Sequence, residues 1–482
     1  MHTTDSKTHK QTLIELYEKN ARRREYWLKK SWYYHSELHR FYQFSIPVNS
    51  TVLEIGCGTG QLLASLRPAK GVGIDISRQM IENARRKYPH LTFHTMDAEE
   101  LSLKEKFDYI ILSDFIGNVF DVQNTFSLLH TVCYPHTRII LNYYNFLWEP
   151  VLKIGEFCGS KMPEMYQNWL PLADLKNFLY LADFEVIKEG YCLLIPRYIP
   201  LISTSVNRLL ARFPFIRRLC LVGTLIARPA GKPAHPPAGA TGYTCSVIIP
   251  CRNEAGNIEG AVTRTPKLGT HTELIFVDGN STDATVSEIN RMIKAYPEKD
   301  ISLIHQGDGT GKGDAVRKGF DAAKGDVLMI LDADLTVPPE DLPKFMQALT
   351  DGKGEFINGT RLVYPMEKGA MRLLNLIANK LFSVGFTWLL GQRFRDTLCG
   401  TKVLFKKDYR RIVEGRTFFG DFDPFGDFDL ILGASKLNLK IVEIPISYKE
   451  RRYGTTNISR FRHGWLLIKM WCVAFFKIKL NS

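Results

Sequence analysis

At 482 residues the chain is too long for one ordinary domain and suits two or three. A content of 45% hydrophobic and 12% aromatic residues excludes bulk disorder. The charge of +13 (63 Lys and Arg against 50 Asp and Glu) suits an anionic partner: nucleic acid, an acidic membrane surface or phosphorylated substrates. In chain order, the first core strand is Thr51–Ile55, running into Gly56-Cys-Gly-Thr-Gly60 and a helix from Gln61. Glycines at this spacing permit a tight turn and let the backbone approach a ligand at a helix N-terminus. The next strand ends at Asp75, where a carboxylate can accept both ribose hydroxyls of a nucleoside. The loop is Gly-x-Gly-x-Gly preceded by Glu54, not G-x-G-x-x-G, so a dinucleotide is not expected.

At these residues the chain closely resembles the class I S-adenosylmethionine-dependent methyltransferases, over roughly residues 25–190. The matching positions are Glu54, Gly56, Gly58, Gly60, Asp75 and Asp97. The resemblance implies a Rossmann-like sheet in which the glycine loop and Glu54 hold the methionine end, Asp75 the ribose and Asp97 the adenine. A fourth strand, Phe107–Leu112, leads to Ser113-Asp114, which in that family faces the transferred methyl. Asp114 is a candidate general base or a helix cap. Asn142–Asn145, Trp148 and Trp169 are candidates for an acceptor pocket or for plain core. Leu193–Ala227 interleaves apolar residues with arginines, as a cover for the acceptor site, a membrane-surface helix or a packing face.

Ala230–Gly242 is dominated by Pro, Gly and Ala and reads as a linker. It separates an expected methyltransferase domain, 1–229, from a second α/β domain, 243–482. There, strands Cys245–Pro250, Glu273–Asp278 and Asp326–Leu331 each end in polar or acidic groups, where open α/β sheets bind ligands. Asp332 and Asp334, at i and i+2, offer hard oxygen donors to a divalent cation. Together with Pro250-Cys-Arg-Asn-Glu254 and Asp278-Gly-Asn-Ser-Thr-Asp283, this set strongly resembles glycosyltransferase family 2, with its GT-A fold. The resemblance implies that Pro250, Arg252, Glu254 and Asp278 hold nucleobase and ribose. Asp332 and Asp334 would hold Mg²⁺ or Mn²⁺ and the diphosphate of a nucleotide-sugar donor, with Asp334 central to catalysis. The Gly-Lys312-Gly segment lacks the Ser or Thr of a Walker loop; the resemblance implies that it opens a helix bordering the donor site, with Lys312 on phosphate or in solvent.

Arg395–Gly400 and Arg451–Thr456 look like segments of dolichyl- and polyprenyl-phosphate sugar synthases. That likeness makes Arg361, Lys402 and Arg452 candidates for a lipid-phosphate acceptor. Asp427 and Asp429 fall where the family often carries acceptor-side carboxylates, with a solvated acidic loop as the alternative. The apolar stretch Met371–Leu390 and the basic, aromatic helix Trp465–Leu480 suggest an interfacial face. No stretch reaches the ~18 apolar residues of a spanning helix. The N-terminus lacks an apolar h-region, and the nine cysteines form no CxxC pair. The expected setting is therefore cytoplasmic, peripherally attached to the cytoplasmic face of an anionic membrane. No nucleic-acid-binding motif accompanies the charge, so nucleic acid is not an expected partner. These features predict a bifunctional transferase: metal-dependent, inverting sugar transfer to a polyprenyl phosphate or glycan, plus methylation of a pathway intermediate. The alternative is a glycosyltransferase with a non-catalytic S-adenosylmethionine-binding scaffold.

Overall fold

The computed structural model describes residues 2–163, 168–237, 242–361, 363, 373–419, 426, 428–449, 451, 453 and 460–480. The chain divides into two compact units, 1–230 with 479–482, and 231–478. Unit one holds β1 (Thr51–Ile55), β2 (Lys70–Asp75), β3 (Thr92–Thr95), β4 (Phe107–Ser113), β5 (Cys133–Tyr144), β6 (Phe184–Cys192) and β7 (Val222–Pro229). They form one sheet in the order β3-β2-β1-β4-β5-β7-β6. The first five are parallel, and β7 runs antiparallel to β5 and β6. Alternate side chains of each strand enter opposite layers, because the strand period is two. Leu53, Ile55, Ile110 and Leu112 join one core with Phe126 and Leu141. Val52, Tyr109 and Ile111 join the other with Leu63, Ile81 and Ala84. The helix Arg78–Lys87 starts where the Ser77 hydroxyl accepts from the Met80 N–H, and ends in Arg85, Arg86 and Lys87, favourable to its dipole.

Two features depart from the sequence reading. Helices His2–Ala21, Arg24–Lys30 and Trp32–Ser45 precede β1, in a region to which no element was assigned. Leu193–Ala227 is not a single amphipathic element. Its first part forms the short helix Ile202–Arg208 and a series of turns, while Val222–Pro229 is a strand buried along its length. The apolar run Leu219–Ala227 therefore serves the sheet, which covers both faces of an interior strand.

Unit two holds β8 (Thr244–Cys251), β9 (His271–Asp278), β10 (Asp300–His305), β11 (Val327–Ile330), β12 (Phe356–Thr360), β13 (Lys402–Phe405) and β14 (Ile441–Pro445). Their order is β10-β9-β8-β11-β13-β12-β14. The sheet is mixed: β13 runs antiparallel to both β11 and β12, and the remaining pairs are parallel. The expected Gly-Lys-Gly helix spans Gly311–Ala322, and the expected apolar helix spans Leu373–Leu390. The last helix begins earlier than expected, at Arg460, and passes into a π-helical turn at Phe475–Lys479. Part of the Pro/Gly/Ala segment packs within this unit. Ala234 is buried, and His235 lies 3.1 Å from Asp408. Among the described residues no helix is long and apolar enough to cross a membrane.

Candidate functional site

In unit one, the carboxyl ends of β1, β2 and β4 open onto a cavity of about 850 Å³. Glu54, Gly56, Gly58, Asp75, Asp97 and Asp114 all line it. Gly60 does not. At φ +74° it makes the turn into the following helix, and a Cβ there would lie 2.6 Å from the Phe93 ring. Gly58 (φ +51°) has open space where a Cβ would point, so its backbone edge is the part a ligand can approach. Its N–H donates to Asp75 at 2.8 Å, and the Ser77 N–H donates to the other Asp75 oxygen at 2.9 Å. Each carboxylate oxygen has a second lone pair, so both retain acceptor capacity.

Glu54 is buried and accepts from the Leu63 N–H at 3.0 Å. Burial pushes its carboxyl up to about 8, against the opposing pull of that N–H. Burial also raises Asp75, against the two N–H donors. The cation facing this acidic pair is Arg24, which no sequence motif singles out. It lines the cavity, its charge acts on Glu54 and Asp75, and Nη1 lies 3.8 Å from the Met162 sulfur. Asp97 caps the turn Ala98–Glu100 through the Glu99 N–H and pairs with Lys10 at 2.6 Å.

Asp114 does not cap a helix. Held at φ +50°, it accepts from the Tyr34 hydroxyl at 2.8 and 2.9 Å, and from Asn142 Nδ2 at 2.6 Å. The Tyr42 hydroxyl in turn donates to Asn142 Oδ1 at 2.7 Å. Burial, then the Asp114 charge, pushes Tyr34 well above the ordinary phenol range, so it stays a donor. His35, also on the cavity wall, is lowered to about 3 by burial and then Arg24, and is neutral. Of the aromatic candidates, Tyr144 and Trp148 line the cavity, Tyr143 is core, and Trp169 is absent from the wall. Trp27, Trp32, Tyr33 and Tyr34 supply half of the remaining aromatic wall, with Tyr17, Phe115, Phe120 and Tyr198. Short aromatic-rich helices gave no periodic signal pointing to a site.

In unit two, β8, β9 and β11 carry their polar ends to one edge of the sheet. Two parallel strand ends are stitched together: the Asn253 N–H donates to the Ser281 hydroxyl at 3.0 Å, and the Glu254 N–H to Thr285 Oγ1 at 2.9 Å. Asp278 is buried and accepts from the Ser281 N–H at 3.2 Å. Arg451 donates to Glu254 and lies 3.9 Å from Asp334, bridging two sequence motifs. Lys312 Nζ sits 2.6 Å from the Asp332 carboxylate and pairs with it. Burial pushes Asp332 up, but Lys312, Lys402 and Arg361 together hold it below the ordinary carboxylate range. Asp334 is raised by burial and by Asp332. A Cβ at Gly400 would lie 2.0 Å from Asp332 Oδ2 and 2.6 Å from Lys312 Nζ, so a side chain there would displace this pair.

The acceptor-side candidates are placed less directly. Arg361 is held by Asp396 through two hydrogen bonds, 2.7 and 2.8 Å, and Lys402 is fully buried with Nζ on the Cys399 carbonyl. Both act on Asp332 through charge. Asp429 accepts from Arg416 Nε at 2.8 Å. Asp427 and Arg452 lie outside the described residues. Among the described residues, no group of three or more metal-ligating His, Cys, Asp or Glu side chains occurs.

Two family models match the chain: "Methyltransferase domain" over residues 46–177 and "Glycosyl transferase family 2" over residues 246–412. The chain therefore carries a methyltransferase domain with a Rossmann-like sheet and a glycosyltransferase family 2 domain with a GT-A-like sheet. Among curated relatives, it is 40% identical over 121 residues to the dolichol-phosphate mannosyltransferase of Saccharomyces cerevisiae, covering 24% of this chain and 44% of that one. It is 29% identical over 245 residues to the dolichol-phosphate mannosyltransferase of Pyrococcus furiosus (46% and 63%). It is likewise 29% identical over 219 residues to an undecaprenyl-phosphate 4-deoxy-4-formamido-L-arabinose transferase of Photorhabdus laumondii (44% and 62%). The chain thus spans 44–63% of the length of these three relatives. Solved structures similar to it include an S-adenosylmethionine-dependent methyltransferase of Thermotoga maritima (TM-score 0.36, 19% identity, 45% of this chain and 99% of that one). Another is the Mycobacterium tuberculosis glucosyl-3-phosphoglycerate synthase with Mn²⁺, uridine diphosphate and its product (TM-score 0.35, 19% identity, 51% and 86%).

Proposed function

We propose that the chain is a bifunctional transferase. Unit two would move a sugar from a nucleotide donor to a polyprenyl phosphate, and unit one would methylate an intermediate of the same pathway. The observation that carries the first half is the half-buried Asp332–Asp334 pair, with Lys312 on Asp332 and Arg451 between Asp334 and Glu254. Two desolvated carboxylates at i and i+2 repel each other, which is the condition a divalent cation relieves. Asp332 and Asp334 would hold Mg²⁺ or Mn²⁺, whose bound charge favours departure of the nucleoside diphosphate. Pro250, Arg252, Glu254 and Asp278 hold the nucleoside, and Arg451 fixes Glu254 while leaving its own charge toward the diphosphate. Arg361, Lys402 and Arg452 provide positive potential for the acceptor phosphate, and attack in line with the leaving group inverts the anomeric centre. The likeness to three lipid-phosphate sugar transferases supports the acceptor class. A panel of nucleotide-sugar donors with polyprenyl phosphate, read by mass spectrometry, tests it; no product with any donor overturns it. Asp334→Ala should abolish turnover, and a chelator should mimic that loss until Mn²⁺ or Mg²⁺ returns.

For unit one, the cavity supports an S-adenosylmethionine site at Glu54, the glycine loop, Asp75 and Asp97. The residues fit the ligand's charges. Glu54 and Asp75 would meet its ammonium and ribose, and Arg24 would meet its carboxylate. Bound S-adenosylmethionine would supply an electrophilic methyl group. Asp114 then takes the acceptor's proton, with Tyr34 and Asn142 fixing its two oxygens. We place the enzyme at the cytoplasmic face of a membrane. The test is calorimetric binding of S-adenosylhomocysteine, expected in the wild type and weakened in Asp75→Ala.

A further inference from the structure

Beside the cavity of unit one, two stretches turn apolar side chains outward. In the helix Glu149–Phe157, Val151, Ile154 and Phe157 fall three residues apart on one exposed face, and Phe157 is 93% exposed. The same helix contributes Leu152 and Gly155 to the cavity wall. The second stretch, residues 199–219, exposes Leu201 (87%) and Phe215 (91%), with Ile202, Leu210, Phe213 and Leu219 also outward. Trp148 joins the two stretches: it lines the cavity, and its indole N–H donates to the Leu219 carbonyl at 2.8 Å. Asn145 adds a bond to the Arg218 carbonyl, also 2.8 Å. Arg197 and Tyr198, where the second stretch begins, line the cavity as well. The apolar surface is thus continuous with the cavity mouth.

The charge of the second stretch is one-sided, whereas the helix Glu149–Phe157 carries Glu149 and Glu156, paired with Lys153 and Lys161. Residues 191–229 contain Arg197, Arg208, Arg212, Arg217, Arg218 and Arg228 and no Asp or Glu. Arg228 points inward to Glu185, whereas Arg208 and Arg218 are exposed. Single exposed apolar residues need no explanation, but a contiguous patch rimmed by cations marks an interaction surface. Protein partners require a shape-matched, packed interface. Side chains that protrude almost fully exposed offer no walls for one. A bilayer needs no matching shape: its acyl region takes protruding Phe and Leu, and anionic headgroups meet the arginines.

From this we infer that the rim of the cavity docks on an anionic lipid bilayer, so that the methyl acceptor is a molecule held at a lipid surface. The inference rests on the reading of unit one as a methyltransferase. Flotation of the full-length chain with vesicles of phosphatidylcholine plus phosphatidylglycerol, against phosphatidylcholine alone, tests it. The wild type should partition onto the anionic vesicles, less so as salt rises. A Leu201→Ser, Phe157→Ser, Phe215→Ser variant and an Arg208→Glu, Arg218→Glu variant should each lose about tenfold in partitioning. A Phe157→Trp variant should be quenched by brominated lipid, which reports insertion directly. Unchanged partitioning in both multiple variants, or no quenching, overturns the proposal. So does a change of sedimentation in the serine variant, which would mean that another protein surface covers the patch. S-adenosylhomocysteine binding, measured on the same samples, should be equal throughout. Its absence in the wild type would defeat the cofactor reading while leaving the vesicle result to decide the docking.

Discussion

Buried at the end of β1, Glu54 keeps its proton up to about pH 8, whereas its ordinary value is 4.5. Between those values the folded chain binds more protons at this site than the unfolded chain. The group's contribution to stability therefore falls as pH rises through that window and is lowest above about 8. A ligand carrying an ammonium and a sulfonium favours the ionised carboxylate, so binding should release a proton below pH 8. Calorimetry near pH 7 in two buffers of different ionisation enthalpy should record that release, with affinity climbing from about pH 6 to 8. A flat profile would remove Glu54 from the methionine end. Arg24 is tested by a pair of ligands. Arg24→Gln should weaken S-adenosylhomocysteine by roughly 10–100-fold, the range of a charge-assisted bond, and leave 5′-methylthioadenosine, which has no carboxylate, unchanged. Equal losses for both would assign Arg24 a structural role. Lys312 makes the opposite kind of prediction. As an ammonium already on Asp332, it competes with a metal ion. Lys312→Met should therefore raise Mn²⁺ affinity in the nucleotide-free chain while weakening nucleoside diphosphate binding about tenfold.

At the scale of elements, the strand ends and the turns after them decide what the side chains meet. The turn before β13 brings the Gly400 backbone against Asp332, and Gly400→Ala should abolish sugar transfer while leaving S-adenosylhomocysteine binding intact. The helix Phe428–Lys436 carries Asp429, whose partner is Arg416 rather than open solvent. Asp429→Asn leaves a half-buried guanidinium short of a partner, at a cost of about 3 kcal/mol in stability. It should lower the melting temperature while keeping transfer within about tenfold, as expected of a phosphate acceptor that needs no general base. A thousandfold fall in turnover with an unchanged melting temperature would instead indicate a base and a hydroxyl acceptor.

For the molecule as a whole, the two sheets have separate cores and separate ligand-facing edges. Asp75→Ala should therefore remove S-adenosylmethionine-dependent activity and spare sugar transfer, and Asp334→Ala should do the reverse. Loss of both activities from either substitution would show that the units depend on each other.

The sequence by itself determined the two α/β layers, the strands β1, β4, β8 and β9 to within a residue or two, and the position of Glu54, Asp75, Asp278, Asp332 and Asp334 at or just after strand ends. Those signals are local: a strand's apolar run, a glycine turn and the acid that ends the strand lie within a few residues of one another. The tertiary structure decided the partners. Arg24 and Tyr34 reach the cavity from helices before the first strand, Arg451 meets Glu254 across 197 residues, and Arg361 is turned toward Asp396. It also decided that Leu219–Ala227 is mostly an interior strand, since a buried strand and a short buried helix share the same apolar composition. Charge pairing acts through space and leaves no periodic trace along the chain, so these contacts could be seen only once the sheets had brought the groups together.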